Sequence, residues 1–166
     1  MRRRQRPVRQ NAGAVASLAT LATLLAGCGA STVHVETPAL HGAAAADCAR
    51  LVRALPHRVA DQPRRQVEPA GVAGAAWGDP AIVLRCGVPR PKELRPTSTC
   101  QMANGVGWFI PESQIQGRPT DIVMTTVGRA ENVEVRLPEK YWPPAAAMVD
   151  LAPAIKKTIR EVRPCL

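Results

Sequence analysis

The chain has 166 residues and a formal charge of +9, but five of its 22 basic side chains fall within the first nine residues. Removing residues 1–27 takes those five and none of the 13 acidic ones, which leaves +4. No dense basic run interleaved with aromatics remains, so the composition argues against a nucleic-acid role, and residues 47–166 suffice for one small domain with a single core.

The basic head is followed by fifteen small or apolar residues, 12–26. A positive head, a short apolar middle and small residues before a cut site make a secretory signal. Fifteen residues fall short of the ~20 that a membrane-crossing helix needs. The segment closes on Leu25-Ala26-Gly27-Cys28, which resembles the lipobox of bacterial lipoproteins. That resemblance implies diacylglyceryl transfer to the Cys28 sulfur, cleavage between Gly27 and Cys28, and acylation of the new N-terminus. Plain secretion after a cut elsewhere, or an uncleaved anchor, is the competing reading. Arg2-Arg3-Arg4 is followed by Gln5-Arg6-Pro7 rather than apolar residues, so ordinary unfolded export is expected instead of a twin-arginine route. Two or more acyl chains anchor stably where one does not, which places the expected protein on the extracytoplasmic face of the cell membrane.

Residues 28–46, rich in Ala, Gly, Ser and Thr, are expected to form a flexible tether. A helix is predicted over 44–55, with Cys48, Leu51, Val52 and Leu55 on one face and Pro56 ending it. The polar stretch 61–69, interrupted by Pro63 and Pro69, is expected to wrap the surface. Residues 81–85 follow a Gly78-Asp79-Pro80 turn, and the continuous apolar Ile82-Val83-Leu84 predicts a central strand. Pro89, Pro91 and Pro96 deny a regular ladder to 87–97. Asn104-Gly105 predicts a hairpin between 99–103 and 106–110. Strands are predicted over 121–127 and 132–137, the second alternating cleanly, with 128–131 as their connection. A closing helix over 150–162 carries Leu151, Ile155, Ile159 and Val162 as its apolar stripe; Pro153 is tolerable only in a first turn, so Asp150 is expected to cap it. The expected fold is α+β: a small domain whose four- to five-stranded, largely antiparallel sheet is flanked by N- and C-terminal helices.

With Cys28 committed to lipid, Cys48, Cys86, Cys100 and Cys165 remain. An even number in an exported domain reads as two disulfides. Cys86–Cys100 would close a loop of about 15 residues, worth roughly 3 kcal/mol, and Cys48–Cys165 would staple the two helices across the sheet. Cys48–Cys86 with Cys100–Cys165, and Cys48–Cys100 with Cys86–Cys165, are the alternatives. No Cys-x-x-Cys pair favours a zinc site, and no metal or cofactor is expected.

The block Ala75-Ala76-Trp77-Gly78-Asp79-Pro80-Ala81-Ile82-Val83-Leu84-Arg85-Cys86-Gly87-Val88-Pro89-Arg90-Pro91 resembles the hallmark of a family of actinobacterial lipoproteins known only as a domain of unknown function. Asn104-Gly105-Val106-Gly107-Trp108-Phe109, Thr125-Thr126-Val127-Gly128-Arg129, Val133-Glu134-Val135-Arg136 and the start at Asp47-Cys48 fit the same family. The resemblance implies an exported, lipid-anchored envelope protein of high-GC Gram-positive origin, and brings no activity with it.

Chemistry-bearing patterns are thin. His34 and His41 fall in the expected tether, His57 stands alone after Pro56, and no serine lies in a Gly-x-Ser-x-Gly elbow. Asp79, Glu112 and Asp121 could form a hydrolytic carboxylate pair, but each is better explained by its place at a turn or strand end. Arg85, Arg90, Arg129 and Arg136 are the more suggestive set: an arginine pair beside Trp77 or Trp108 could clamp a carboxylate or phosphate, although Arg129 and Arg136 could equally neutralise Glu131 and Glu134. Tyr141-Trp142 is expected to form an exposed apolar contact patch. These features predict a non-catalytic accessory or binding module that engages an envelope protein, lipid or wall component, with a small-molecule or lipid carrier as the alternative and a carboxylate-dependent hydrolase behind it. The lipobox assignment has a direct test. Cys28→Ala is expected to abolish acyl labelling and the associated cleavage, leaving a longer precursor on gels; acyl label persisting in the variant would refute it.

Overall fold

The computed structural model describes residues 32–165; the signal-like segment and Cys28 lie outside them. The described chain starts with β1 (Val33–His34) and α1 (Gly42–Ala54), followed by β2 (Arg58–Val59), β3 (Gln62–Arg65), β4 (Val67–Glu68), β5 (Gly74–Trp77) and β6 (Ile82–Cys86). It continues through β7 (Gln101–Ala103), β8 (Val106–Phe109), β9 (Ile122–Val127), β10 (Val133–Leu137) and α2 (Ala145–Thr158). Among the described residues, eight strands form one antiparallel sheet in the order β2-β3-β5-β6-β10-β9-β8-β7, while β1 and β4 form a separate parallel pair. The α+β class stands, with more strands than the four or five expected. The additional ones were hard to see because β5 is Gly-Ala-Ala-Trp, β3 contains Pro63 and β2 is only two residues long.

Strand parity decides which face is dry. Ile82, Leu84 and Cys86 of β6, Val133, Val135 and Leu137 of β10, and Ile122 and Met124 of β9 are buried in one core with Cys48 and Leu51 of α1 and Leu151 and Ile155 of α2. Both helices therefore cover the same face. Val83, Arg85, Glu134 and Arg136 take the alternate positions and face away from it. Fully burying each large aliphatic side chain contributes roughly 1.5–3 kcal/mol. Trp77, also fully buried, donates from Nε1 to the Pro56 carbonyl at 3.1 Å. Above its ring lies the Arg64 guanidinium, 5.8 Å from the centroid, which also donates to the carbonyls of Val52 and Leu55 and so closes the end of α1. Burial pushes the Arg64 pKa below its ordinary value.

The N-terminal segment departs from the expected tether. Val33 N donates to Gln66 O at 2.9 Å and Val35 N to Glu68 O at 2.8 Å. Val35 is buried against Gly74, where a β-carbon would lie 2.7 Å from its Cγ1. Residues 33–46 thus belong to the folded unit. A two-residue strand and one apolar anchor set among small residues carry no periodic signal, so the segment's composition was misleading.

The closing helix also differs. It begins at Ala145 rather than Asp150 and runs through Pro153. Proline cannot donate to the Val149 carbonyl, but Val149 and Pro153 are both exposed, so water can satisfy that oxygen. Asp150 is not a cap. Its Oδ2 accepts from Ala60 N at 2.8 Å and holds the β2–β3 turn, where Ala60 and Asp61 adopt φ of 46° and 61°. Two successive positive φ values match a hairpin turn that glycine or asparagine normally occupies, and the carboxylate from α2 supports it from outside.

The disulfides correct the favoured connectivity: Cys48 pairs with Cys86 and Cys100 with Cys165, at Cα separations of 5.6 and 6.1 Å. Parity explains the first bond, since Cys86 shares the inward phase of Ile82 and Leu84 and meets the buried face of α1. The second follows from where α2 stops. The chain leaves the helix at Thr158 and turns toward β7 and β8, away from α1. The bonds span 38 and 65 residues, and closing loops of that size constrains the unfolded chain by about 4 kcal/mol each. Non-reducing peptide mapping is expected to yield these two pairs. Cys48→Ser/Cys86→Ser is expected to lose about 4 kcal/mol in urea unfolding, and recovery of a Cys86–Cys100 peptide would overturn the assignment.

Candidate functional site

Beyond α2 the chain becomes a strap. Ala130 N donates to Arg160 O at 2.8 Å, and Val162 N and Arg163 N both donate to Gly128 O at 2.8 and 3.2 Å. Gly128 has a φ of 75°, and the Arg163 carbonyl occupies the place a β-carbon would need. Further on, Cys165 lies over Gly107 of β8, which brings it to Cys100. The strap, the β9–β10 connection and the proline-rich segment before β7 enclose a cleft of about 340 Å³.

Arg90, Arg95, Arg129 and Arg163 line this cleft together with Ser98 and Asn132, and no carboxylate is among its described lining residues. The four arginines have different roles. Arg129 is buried; it donates to Gly105 O at 2.7 Å and Ile159 O at 3.3 Å and pairs with Glu161 at 3.2 Å. Its Nε is buried with no hydrogen-bond partner among the described residues. Arg90 donates to Leu94 O at 3.1 Å, which folds the segment carrying it into a local turn. The guanidinium groups of Arg95 and Arg163 are exposed and make no hydrogen bond or ion pair with the described residues. Ser98 Oγ accepts from Arg95 N at 2.9 Å, which leaves its own hydrogen available. Asn132 donates from its side-chain amide to Val88 O at 3.1 Å, and its backbone carbonyl accepts from Gly87 N at 2.9 Å, fixing the inner wall.

Of the residues singled out for contact, Arg90 and Arg129 meet here. Arg85 does not: it binds Glu134 at 2.6 and 3.1 Å on the outer face, where Arg136 lies 3.4 Å from the same carboxylate. Trp77 and Trp108 are fully buried and present no ring to a ligand. The expected Tyr141–Trp142 patch is divided. Trp142 is 36% exposed, whereas Tyr141 packs against the core with its hydroxyl buried beside Gly78. The carboxylates considered for hydrolysis have separate structural partners: Asp121 accepts from Glu139 N, Glu112 from Gln116, and Asp79 lies 4.0 Å from Arg65. Among the described residues no group of three His, Cys, Asp or Glu side chains could hold a metal ion, and no helix is long and apolar enough to cross a membrane.

Arg95, Arg163, Ser98 and Asn132 were missed. Arg90, Arg95 and Arg163 each precede a proline, but so do Arg6 and Arg118, and Arg118 is not at the cleft, so the pair did not mark the site in the sequence.

Residues 12–164 match the family described as "Protein of unknown function (DUF3515)", and the chain belongs to that family. Neither a curated protein nor a solved structure matches it.

The two kinds of arginine should respond differently to substitution. Arg129→Met removes the donors to Gly105 O and Ile159 O and is expected to cost about 2 kcal/mol in urea unfolding. Arg95→Gln touches no protein partner and is expected to stay within about 0.5 kcal/mol of the parent. Equal destabilisation by both would contradict the division of roles.

Proposed function

We propose that this chain is a lipid-anchored, extracytoplasmic binding module that works by holding an anionic envelope component rather than by turnover. The single observation that carries the reading is the cleft: four guanidinium groups and no carboxylate among its described lining residues, on a frame held by backbone hydrogen bonds and the Cys100–Cys165 bond. Glu161 offsets Arg129 alone; the other like charges gathered here repel one another, and an anionic partner relieves that repulsion. The early start of the folded unit supports a membrane-proximal placement. Cys28 precedes Val33 by five residues, and an extended chain of that length reaches about 17 Å. A lipid on Cys28 would keep the domain close to the headgroups instead of at the end of a long leash.

The carrier reading has one observation in its favour. A groove of about 660 Å³ lies between residues 34–40, α1 and the loop before β5, with Val35, Leu40, Ala45 and Ala73 among its walls. Most of its lining is exposed, which makes it an open trough rather than a chamber that could shield an acyl chain from water.

Crosslinking on intact cells separates the two. The parent protein is expected to capture an anionic envelope component, and Arg95→Ala/Arg163→Ala is expected to reduce that capture at least tenfold at equal abundance. A stoichiometric apolar lipid co-purifying equally with both proteins would instead favour the carrier.

A further inference from the structure

We infer that the arginine-lined cleft recognises a phosphoryl group carrying two or more negative charges, a phosphomonoester or a pyrophosphate. The inference rests on the binding-module reading and names the ligand chemistry of the same site.

Charge sets the class. Glu161 already compensates Arg129 at 3.2 Å, while Arg90, Arg95 and Arg163 have no acidic partner among the described residues. Three uncompensated cations exceed what a single carboxylate or phosphodiester, with one negative charge, can neutralise. A phosphomonoester carries about −1.5 to −2 at neutral pH, and a pyrophosphate carries more.

Donor geometry points the same way. Guanidinium forks match phosphate oxygens in pairs. The cleft presents them from three separate walls: Arg90 and Arg95 from the proline-rich segment, Arg129 from the β9–β10 connection and Arg163 from the strap. Donors arriving from three directions suit a tetrahedral group better than a planar carboxylate. Ser98 adds a hydroxyl whose oxygen is already occupied as the acceptor for Arg95 N, so it faces a ligand as a donor. Every lining side chain discussed here can donate, and none is an anion.

The frame keeps the segments that carry these donors in place before a ligand arrives. Arg129 is fixed by two backbone carbonyls, and the strap carrying Arg163 is held at Gly128 O and at Cys165. Arg129 is therefore pre-placed, and the exposed Arg95 and Arg163 side chains are the ones ordered on binding. The same chemistry could be offered by a lipid phosphomonoester at the membrane surface or by a phosphorylated group that is not part of a lipid.

Calorimetric titration of the purified full chain in neutral detergent tests the inference, with four probes: inorganic pyrophosphate, sodium acetate, short-chain phosphatidic acid and short-chain phosphatidylcholine. Pyrophosphate is expected to bind saturably, and acetate to bind at least tenfold more weakly. Arg95→Gln/Arg163→Gln is expected to weaken pyrophosphate binding at least tenfold without shifting the thermal midpoint. Competition between phosphatidic acid and pyrophosphate, with phosphatidylcholine inert, supports the class and identifies a lipid headgroup as the source. Pyrophosphate binding without such competition supports the class and places the source outside lipids. Acetate binding as tightly as pyrophosphate, or a double variant that binds like the parent, overturns the inference. Absence of pyrophosphate binding, combined with crosslinked capture that still depends on Arg95 and Arg163, overturns the ligand class while the binding-module reading stands.

Discussion

The bond between Cys48 and Cys86 ties the helix layer to the middle of the sheet, and much of the remaining geometry follows from the phase it requires. Cys86 can meet α1 only if β6 points Ile82, Leu84 and Cys86 inward. That phase turns Arg85 outward, opposite Glu134 of β10. The register of β10 then sends Val133, Val135 and Leu137 into the core and aligns β9 behind it, with Ile122 and Met124 inward. A one-residue slip would expose the apolar set and bury Arg85 and Glu134. Hydrophobic burial, the covalent link and the charge pair therefore select the same register.

The dry face leaves the ends of the sheet to irregular chain, and both termini of the described chain use them. At one end, residues 33–35 pair along β4 and seat Val35 against Gly74. At the other, residues 159–165 run beside the β9–β10 connection and finish over Gly107. Each strap seats one apolar side chain in the core, Val35 in the first and Ile159 in the second. The second is also held by hydrogen bonds to Gly128 O and by Cys165. One wall of the cleft is therefore tied to the sheet by a covalent bond as well as by hydrogen bonds.

Elements with a strong local signal were legible in the sequence. Asn104-Gly105 forms the expected turn, with φ of 45° and 78°, and the alternation of Val133, Val135 and Leu137 marks the buried side of β10. Reading Ile82-Val83-Leu84 as a continuous apolar run concealed the phase of β6 and, with it, the partner of Cys86. Where side chains are small, as in β5 and residues 32–46, packing is decided by close backbone approach, which periodicity does not register. The site was half legible. Arg90 and Arg129 were suspected on chemical grounds, but their meeting depends on a strap whose path follows from where α2 ends and from a disulfide between chain positions far apart.

Arg85 and Arg129 show why residue type alone could not assign these roles. Arg129 directly follows Gly128, Arg85 lies two residues before Gly87, and both reach a glutamate. Arg85 shares Glu134 with Arg136 on a sheet face, where one carboxylate oxygen meets both guanidinium groups. Arg129 is more deeply buried, and its two carbonyl acceptors carry only partial charge. Glu161, its one acidic partner, is half exposed, so solvent weakens the compensation. Burying a guanidinium is unfavourable unless its donors are met, and here the buried Nε has no partner among the described residues, in a residue that lines a cleft whose other cations have no acidic partner among them. The fold thus gathers four guanidinium groups at one cleft from distant chain positions, and does so through backbone architecture rather than through a run of basic sequence.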